Sequence, residues 1–583
     1  MKSFLKLKGF LLENKWSYII GIAWLVLTDS VQLIVPRILG NLTDDFQSGA
    51  ISSSGILRYI IYIILTGIFI AVGRFFWRVY IFGNSRKLEY YLREKIFNKY
   101  LSLSPNYFNI NKTGDLMAHA TNDVNAVRMA MGPGIMMIVD STFMMILSLI
   151  MMARTTNLRL TAIVLVTLPF TTIFVVKFGR IIHSRFKRVQ EAFSDLTDTI
   201  QENFSGIRVI KSFVQEDLAT SQFKEVNEDN FQKNLHLVKI SGFFRPFIEL
   251  ISAISFLLVI FYGGKEVILN RISLGDFIAF NSYLSLLIWP MMALGYVINI
   301  FQRGGASMDR INKILDEKSE IKEIKNPVKL ENPQGKVEFK DVSFKYRTGK
   351  DYALKDINFT IEDGKTLAIL GKTGSGKSTI VNLLLRLYDI EEGEIKFSGV
   401  DIRDLSFKTL RENIGYVPQD NFLFSTTIDE NIAFAFDGPI PEEDIVEAAK
   451  MAEVYDNIMD FPKQFKTVLG ERGVTLSGGQ KQRSSIARAI IKKPAVLILD
   501  DSLSSVDTKT EEKILNNLSR FTKKSTKIII SHRISTVKNS DEIIFLEDGL
   551  IVERGRHEDL LDLKGFYYEL YQKQLLEEKI TNY

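Results

Sequence analysis

A glycine-rich segment in the second half of the chain has the residue types that bind phosphate. It reads Gly371-Lys372-Thr373-Gly374-Ser375-Gly376-Lys377-Ser378-Thr379 and fits the pattern G-x-x-x-x-G-K-[S/T] between an apolar run and a helical stretch. Glycines let several backbone N–H groups face one anion, and the helix that follows adds its positive end. We expect Lys377 to reach the β- and γ-phosphates of a nucleotide and Ser378 to bind Mg²⁺ through its hydroxyl.

A carboxylate at the end of a second apolar run supports the same chemistry. The segment Val496–Asp500 reads as a buried strand, and Asp500 at its carboxyl end can hold the water shell of Mg²⁺. An aspartate that only caps a strand is the alternative interpretation. The phosphate-binding pattern in the same part of the chain favours the metal.

The elements that position these residues are short β-rich runs that alternate with helical stretches from Gly335 onward. The predicted strands are Lys336–Phe344, Thr366–Leu370, Ile414–Pro418, Ala495–Asp500, Lys527–Ser531 and Glu542–Glu547. This alternation predicts an α/β domain with a largely parallel sheet.

The first half is different, because it carries apolar runs long enough to cross a bilayer. The predicted spans are Trp16–Leu39, Ile56–Phe82, Met131–Met152, Leu158–Phe178, Phe247–Val267 and Phe277–Ile300. We therefore predict an all-α membrane domain over residues 1–315, a linker over 316–335 and the α/β domain over 336–583. The mean hydropathy of +0.07 over 583 residues averages these two halves.

Charge and composition set the topology and exclude some classes. The basic residues cluster in the amino-terminal segment and the first long loop: Lys2, Lys6, Lys8, Lys15, Arg86, Lys87, Arg93, Lys95, Lys99 and Lys112. This predicts a cytoplasmic amino terminus and cytoplasmic long loops. The chain has no Cys, which excludes disulfide frameworks and thiolate metal sites, and a net charge of +5 gives little support for nucleic-acid binding.

Between the two phosphate-related segments lies Leu476-Ser477-Gly478-Gly479-Gln480, followed by Lys481-Gln482-Arg483. This resembles the signature sequence of ATP-binding cassette (ABC) proteins. The resemblance implies that Tyr346 stacks on adenine, that Gln419 senses Mg²⁺ and that His532 contacts the γ-phosphate. It also implies that the loop Ser504–Asp507 crosses to a partner cassette and that Leu469–Gly473 touches the membrane domain.

The resemblance implies a site shared between two chains. In such proteins two cassettes face head to tail, and each ATP lies between one phosphate loop and the other chain's signature. Residues Ser477, Gly478, Gly479 and Gln480 would then bind the nucleotide held by the partner, using another helix start.

The membrane half resembles the exporter branch of the same family. The matching segments are Phe108–Leu116, Thr121–Val124, Glu202–Ile207 and Val209–Lys211. This implies a half-transporter that dimerises to about twelve spans in a bacterial plasma membrane, with its cassette in the cytoplasm.

One position departs from the family pattern. Hydrolytically competent members carry Glu after the strand-ending Asp, where it orients the attacking water; here that residue is Asp501. Its side chain is shorter by one methylene, so the chain's own phosphate loop is predicted to form a weak or non-hydrolytic site. Because the signature is intact, we predict a heterodimer with a Glu-bearing partner. A homodimer that hydrolyses ATP slowly is the alternative.

The predicted function is ATP-driven export of hydrophobic or amphipathic compounds. A lipid flippase shares every motif and remains an alternative, as does a nucleotide-gated channel or a regulatory ABC protein. Two carboxylates are singled out: Asp140 within the third predicted span and Glu249 near the start of the fifth. Asp140 contacts either a substrate or another helix, and Glu249 is predicted to be structural.

Overall fold

A computed structural model describes residues 2–49, 51–155, 158–347, 349, 351–470, 473, 476–521 and 525–581. The chain forms two compact units. The first contains Met1–Leu101 and Thr113–Glu317, and the second contains Ser102–Lys112 and Lys318–Tyr583. A short piece of the first long loop thus belongs to the cassette unit.

The first unit is helical throughout. It begins with a 3₁₀ segment at Lys2–Leu7. Its helices are α1 (Lys8–Glu13), α2 (Lys15–Gln32), α3 (Ile34–Gln47), α4 (Ser53–Leu101), α6 (Thr113–Ala118), α7 (Val124–Met129), α8 (Ile135–Thr155), α9 (Leu158–Ser205), α10 (Ile207–Ser212), α11 (Glu216–Ile268) and α12 (Leu274–Asp316). Helix α5 (Pro105–Ile110) lies in the second unit. Two π-helical turns, His119–Asp123 and Ala130–Gly134, join α6 to α7 and α7 to α8. The second contains Pro133, which has no N–H to donate to the helical hydrogen-bond ladder.

Five helical stretches among the described residues are long and apolar enough to cross a membrane. They are Lys15–Gln47, Ser53–Leu101, Thr113–Thr155, Glu216–Ile268 and Leu274–Asp316. Each contains one predicted span, so the predicted all-α membrane domain is confirmed. The remaining prediction, Leu158–Phe178, falls in α9, and most of its side chains lie outside the described residues.

The buried carboxylate of Asp123 connects the π-helical turn His119–Asp123 to α12. Asp123 accepts hydrogen bonds from Ser307 Oγ at 2.8 Å and Arg310 Nε at 2.9 Å, both on α12, and from a second Arg310 nitrogen. His119 Nδ1 lies 2.7 Å from the same carboxylate. Helix α12 therefore cannot slide along the turn that carries Asp123 without breaking charge-assisted hydrogen bonds.

We expect Asp123→Ala to destabilise the first unit by about 2 kcal/mol, because Ser307 and Arg310 lose a shared acceptor. The midpoint of thermal unfolding in detergent should fall by about 4 °C. Asp309→Ala, which removes an exposed carboxylate beside Arg310, is the matched control and should leave the midpoint unchanged. Equal midpoints for the two variants would show that the Asp123 contacts add nothing to stability.

Asp140 of α8 has two polar neighbours on other helices. Its carboxyl interacts with the side chains of Asp29 on α2 and Trp289 on α12. Asp29 is 4% exposed and was not singled out from the sequence, although a carboxylate inside the predicted span Trp16–Leu39 was the available signal. Asp140 therefore contacts other helices, which is one of the two roles that its sequence position allowed.

The second unit contains two sheets. Its strands are β1 (Val337–Phe344), β2 (Leu354–Ile361), β3 (Thr366–Gly371), β4 (Glu392–Phe397), β5 (Val400–Asp401), β6 (Ile414–Val417), β7 (Val496–Asp500), β8 (Thr526–Ile530), β9 (Glu542–Glu547) and β10 (Leu550–Gly555). Six form a sheet of order β10-β9-β3-β8-β7-β6, in which only the β10–β9 pair is antiparallel. The other four form an antiparallel sheet of order β2-β1-β4-β5, of which the sequence predicted only β1.

Helices surround the larger sheet. They are α13 (Lys377–Leu384), α14 (Phe407–Glu412), α15 (Ile428–Ile432), α16 (Glu442–Met451), α17 (Tyr455–Met459), α18 (Gly478–Ile490), α19 (Thr508–Phe521), α20 (Ile534–Val537), α21 (His557–Leu563) and α22 (Phe566–Thr581). Every residue of β7 is buried, as expected for a strand with both faces covered. The predicted α/β domain with a largely parallel sheet is confirmed.

Candidate active site

Four neighbouring strands bring the predicted motifs to one edge of the larger sheet. The phosphate loop follows β3, His532 comes two residues after β8, Asp500 and Asp501 lie at the end of β7, and Gln419 follows β6. These strands are adjacent and parallel in the order β3-β8-β7-β6. Their carboxyl ends therefore meet at the same edge, which is where open α/β sheets bind ligands.

The phosphate loop needs glycine at two of its positions. Gly371 and Gly376 have φ values of +149° and +102°. A Cβ on Gly376 would lie 2.6 Å from the Ala353 carbonyl oxygen, and one on Gly371 would lie 2.2 Å from the Leu546 carbonyl oxygen. Only glycine fits both the conformation and the space.

Lys377 begins α13 and lies inside the loop. Its Nζ donates to the carbonyl oxygens of Gly371 and Lys372, each at 2.8 Å. Burial lowers the pKa of this ammonium group, and the charges of Asp500 and Asp501 partly oppose that shift. Ser375 Oγ is also buried, with no hydrogen-bond partner among the described residues. A cation and an unpaired hydroxyl inside a glycine loop fit a bound phosphate.

The remaining loop residues follow from this geometry. Thr373 and Gly374 lie on the exposed side of the loop, and Gly374 has a φ of +85°. Thr379, one turn into α13, is buried and lies 3.1 Å from the Tyr346 hydroxyl.

Ser378 and Asp500 place two oxygen ligands side by side. The Ser378 hydroxyl lies close enough to the Asp500 carboxylate to interact with it, and Asp500 is 2% exposed. Burial and the neighbouring charge of Asp501 raise the pKa of Asp500, whereas Ser378, Lys377 and His532 act in the opposite direction. A hydroxyl and a carboxylate are the donors that Mg²⁺ prefers, so this pair fits the predicted metal.

The Asp501 backbone is fixed in an unusual conformation. Its φ is +46°, a region in which Asp is better tolerated than most residues. Its N–H donates to the Ile530 carbonyl of β8 at 2.9 Å, and its carbonyl accepts from Ser504 Oγ at 3.0 Å. Because both peptide groups are bonded, the backbone cannot move forward to compensate for a short side chain.

The signature residues form a second group, at the start of α18. Ser477 caps this helix: its Oγ accepts from the Gln480 N–H, and the Gln480 side chain accepts from the Ser477 N–H at 2.9 Å. Gly478 and Gly479 face the loop Ser504–Asp507, and a Cβ on Gly479 would lie 2.9 Å from the Ser505 carbonyl oxygen.

The contacts that hold that loop could not be read from the motifs. Gln482 of α18 donates to Ser504 Oγ at 3.2 Å and accepts from the Ser505 N–H at 3.0 Å. Its place two residues after Gln480, the last residue of the signature, was the available signal. Of the segment Leu469–Gly473, Glu471 and Arg472 lie outside the described residues.

Known families and proteins match nearly the whole chain. The family described as ABC transporter transmembrane region matches residues 18–291, and the family described as ABC transporter matches residues 354–504. The chain is 41% identical to the "Probable multidrug resistance ABC transporter ATP-binding/permease protein YheI" of Bacillus subtilis, over 99% of this chain and 98% of that protein. The chain belongs to the ABC transporter family.

Two other ABC proteins and a solved exporter structure are also similar to this chain. This ABC transporter is 37% identical to the "Multidrug resistance-like ATP-binding protein MdlA" of Escherichia coli over 100% of the chain and 98% of the relative. It is 37% identical to the "ATP-dependent lipid A-core flippase" of Syntrophus aciditrophicus over 84% of the chain and 81% of the relative. A bacterial Atm1-family ABC exporter with ATP bound matches with a TM-score of 0.78 and 25% identity, over 97% of this chain and 99% of that one.

These findings confirm the main predictions. The chain is an ATP-binding, ATP-hydrolysing exporter that spans the cell membrane several times, with an exporter membrane domain followed by a cassette.

A short segment of the first long loop is hydrogen-bonded to the cassette of this ABC transporter. Asn109 Nδ2 donates to the Tyr388 hydroxyl at 3.0 Å, and the Tyr388 ring meets the Tyr346 ring edge-on, with centroids 5.2 Å apart. The Tyr346 hydroxyl in turn contacts Thr379 in the phosphate-loop helix. Two aromatic rings thus connect the loop segment to the residue predicted to stack on adenine.

We expect Tyr388→Phe to reduce the stimulation of ATP hydrolysis by transported compounds about fivefold, because the bond to Asn109 is lost while the ring remains. The basal rate should not change. Tyr352→Phe, at an exposed cassette tyrosine, is the control. Stimulation that survives in Tyr388→Phe would mean that this bond carries no signal from the membrane domain.

Proposed function

We propose that this chain is one subunit of an asymmetric, multidrug-type ABC exporter, in which its own phosphate loop binds ATP and hydrolyses it weakly. The observation that carries the proposal is Asp501 at the position where the family has Glu. The pinned Asp501 backbone supports it, since a side chain shorter by about 1.5 Å cannot be brought forward.

The residues at the sheet edge would bind one nucleotide. Lys377 and the loop N–H groups would hold the phosphates, Ser378 and Asp500 would hold Mg²⁺, and Tyr346 would stack on adenine. His532 would contact the γ-phosphate, and Gln419 would complete the Mg²⁺ site. The metal would neutralise charge on the phosphates.

The signature would serve the other site. Ser477, Gly478, Gly479 and Gln480 would meet the γ-phosphate of ATP held by a second half-transporter that carries Glu at the Asp501 position. ATP binding would draw the two cassettes together, and hydrolysis at the partner's phosphate loop would release them. Cassettes and amino termini would lie in the cytoplasm.

The substrate class follows from the relatives. A relative named for multidrug resistance matches over 99% of the chain, which favours hydrophobic or amphipathic compounds. Asp140 and Asp29 lie near each other and near Arg74 in the membrane unit, so a compound that carries a positive charge would compete with Arg74 for these carboxyl groups. A lipid flippase is the second candidate, favoured by the lipid A-core flippase relative.

Purified chain, alone and together with a candidate partner that carries Glu at this position, tests the asymmetry. We expect slow ATP hydrolysis by the chain alone and fast hydrolysis by the pair. In the pair, Ser477→Ala in this chain should reduce the rate more than Asp501→Asn. Robust hydrolysis by this chain alone would rule out the asymmetric pair and leave the homodimer.

A second measurement separates the two substrate classes. Cationic dyes should stimulate ATP hydrolysis by a multidrug exporter, whereas lipid A should stimulate it in a lipid flippase.

A further inference from the structure

The three residues between β8 and α20, Ser531–Arg533, are held from the C-terminal helix α22. Gln574 Nε2 donates to the His532 carbonyl oxygen at 2.6 Å, and Gln574 Oε1 accepts from the Ile534 N–H at 2.9 Å. One carboxamide thus pairs with backbone groups on both sides of Arg533. It fixes the peptide planes that follow His532, as a neighbouring strand would.

The opposite side of the same segment is held by Arg533. Its Nη2 donates to the Ser504 carbonyl at 3.1 Å, and its Nη1 donates to Glu511 Oε2 at 3.1 Å. Glu511 is 3% exposed and also accepts from Thr536. The segment is therefore hydrogen-bonded to α22 on one side and to the loop that follows β7 on the other.

The His532 side chain itself is exposed, so its direction depends on the backbone that carries it. His532 follows β8, whose carboxyl end lies beside Asp500 at the end of β7, so the residue stands at the sheet edge where the nucleotide would bind. A segment of three residues between a strand and a helix has few backbone conformations. The two hydrogen bonds of the Gln574 carboxamide exclude most of them.

We propose that Gln574 is a positioning residue that holds His532 for contact with the γ-phosphate, so that the C-terminal helix helps this cassette distinguish ATP from ADP. The proposal rests on the role proposed for His532. Because ADP has no γ-phosphate, loosening the segment weakens the binding of ATP and leaves that of ADP unchanged.

The test uses the full-length chain in lipid nanodiscs with Mg²⁺ present. The affinities for ADP and for the non-hydrolysable imido analogue of ATP are measured by displacement of a fluorescent nucleotide. Gln574→Ala should weaken binding of the ATP analogue about fivefold, the effect of one to two ordinary hydrogen bonds, with ADP affinity unchanged. Gln574→Glu replaces the donor with a carboxylate oxygen that repels the His532 carbonyl oxygen, so it should weaken binding of the ATP analogue at least as much as Gln574→Ala. Gln572→Ala, at an exposed glutamine of the same helix, should match the unmodified chain.

His532→Ala is measured in parallel to separate the possible failures. If His532→Ala weakens the ATP analogue and Gln574→Ala does not, Gln574 has no positioning role. If Gln574→Ala weakens both nucleotides equally, its role is structural and the proposal is wrong. If His532→Ala changes neither affinity, the proposed role of His532 fails, and the inference about Gln574 fails with it.

Discussion

Replacing Asp501 with glutamate is expected to raise the ATP hydrolysis rate of the purified chain by about a hundredfold. A misplacement of about 1 Å can cost roughly that factor, and the added methylene restores about 1.5 Å of reach. The backbone on both sides of Asp501 is hydrogen-bonded to β8 and to Ser504, so the longer side chain extends toward the water instead of displacing the main chain.

The same substitution should cost stability. With a φ of +46°, position 501 suits Asp better than Glu, so we expect the cassette to lose on the order of 1 kcal/mol. A rate that rises while the unfolding midpoint falls would distinguish a repaired site from a generally stabilised protein.

Two controls make the gain interpretable. Asp501→Asn removes the carboxylate and should hydrolyse ATP no faster than the unmodified chain. Asp501→Glu combined with Lys377→Ala should lose the gain, because the new base needs a bound nucleotide. A rate in Asp501→Glu no higher than in the unmodified chain would contradict the explanation given for the weak site.

Replacing Lys377 with alanine is expected to reduce ATP affinity at least about a hundredfold. The ammonium is buried in the loop, where a charge interacts with phosphate more strongly than at the surface. Binding of a labelled nucleotide to the chain in nanodiscs measures the loss directly and does not depend on the hydrolysis rate.

The loop itself supplies the matched control. Lys372 has the same charge in the same loop, but its side chain is exposed and pairs with Glu547 at 2.5 Å. Lys372→Ala should therefore change ATP affinity by no more than about twofold. Similar losses in the two variants would show that net loop charge, and not the placement of Lys377, determines the affinity.

Sequence reasoning worked best where chemistry restricts the residue types. The phosphate loop and the apolar strand ending in Asp500 were predicted because few other residues could bind phosphate and metal at that spacing. The order of the strands was not predicted from the sequence; in the structure the order β3-β8-β7-β6 brings Gln419 and His532 to the same edge.

Sequence reasoning failed where ordinary residues make distant contacts. Asn109 lies in a segment that matches the exporter family, but its partner Tyr388 is 279 residues away and belongs to no motif, and Gln574 is 42 residues from His532. The end of a predicted span is not the end of a helix, because hydropathy reports burial in lipid and not helicity. The second span was predicted to end at Phe82 and the charged connection after it to be helical in pattern, and α4 indeed continues to Leu101.

The capping box at Ser477 bears on how fast two cassettes can associate. It satisfies the N–H groups of Ser477 and Gln480 within the chain, so the start of α18 is ordered before any partner arrives. Ser477 Oγ serves this box as an acceptor, which leaves its own proton to be donated to an incoming phosphate oxygen. A preorganised surface of this kind gives up little conformational entropy on association, so the encounter of the two chains would be limited mainly by their diffusion and mutual orientation.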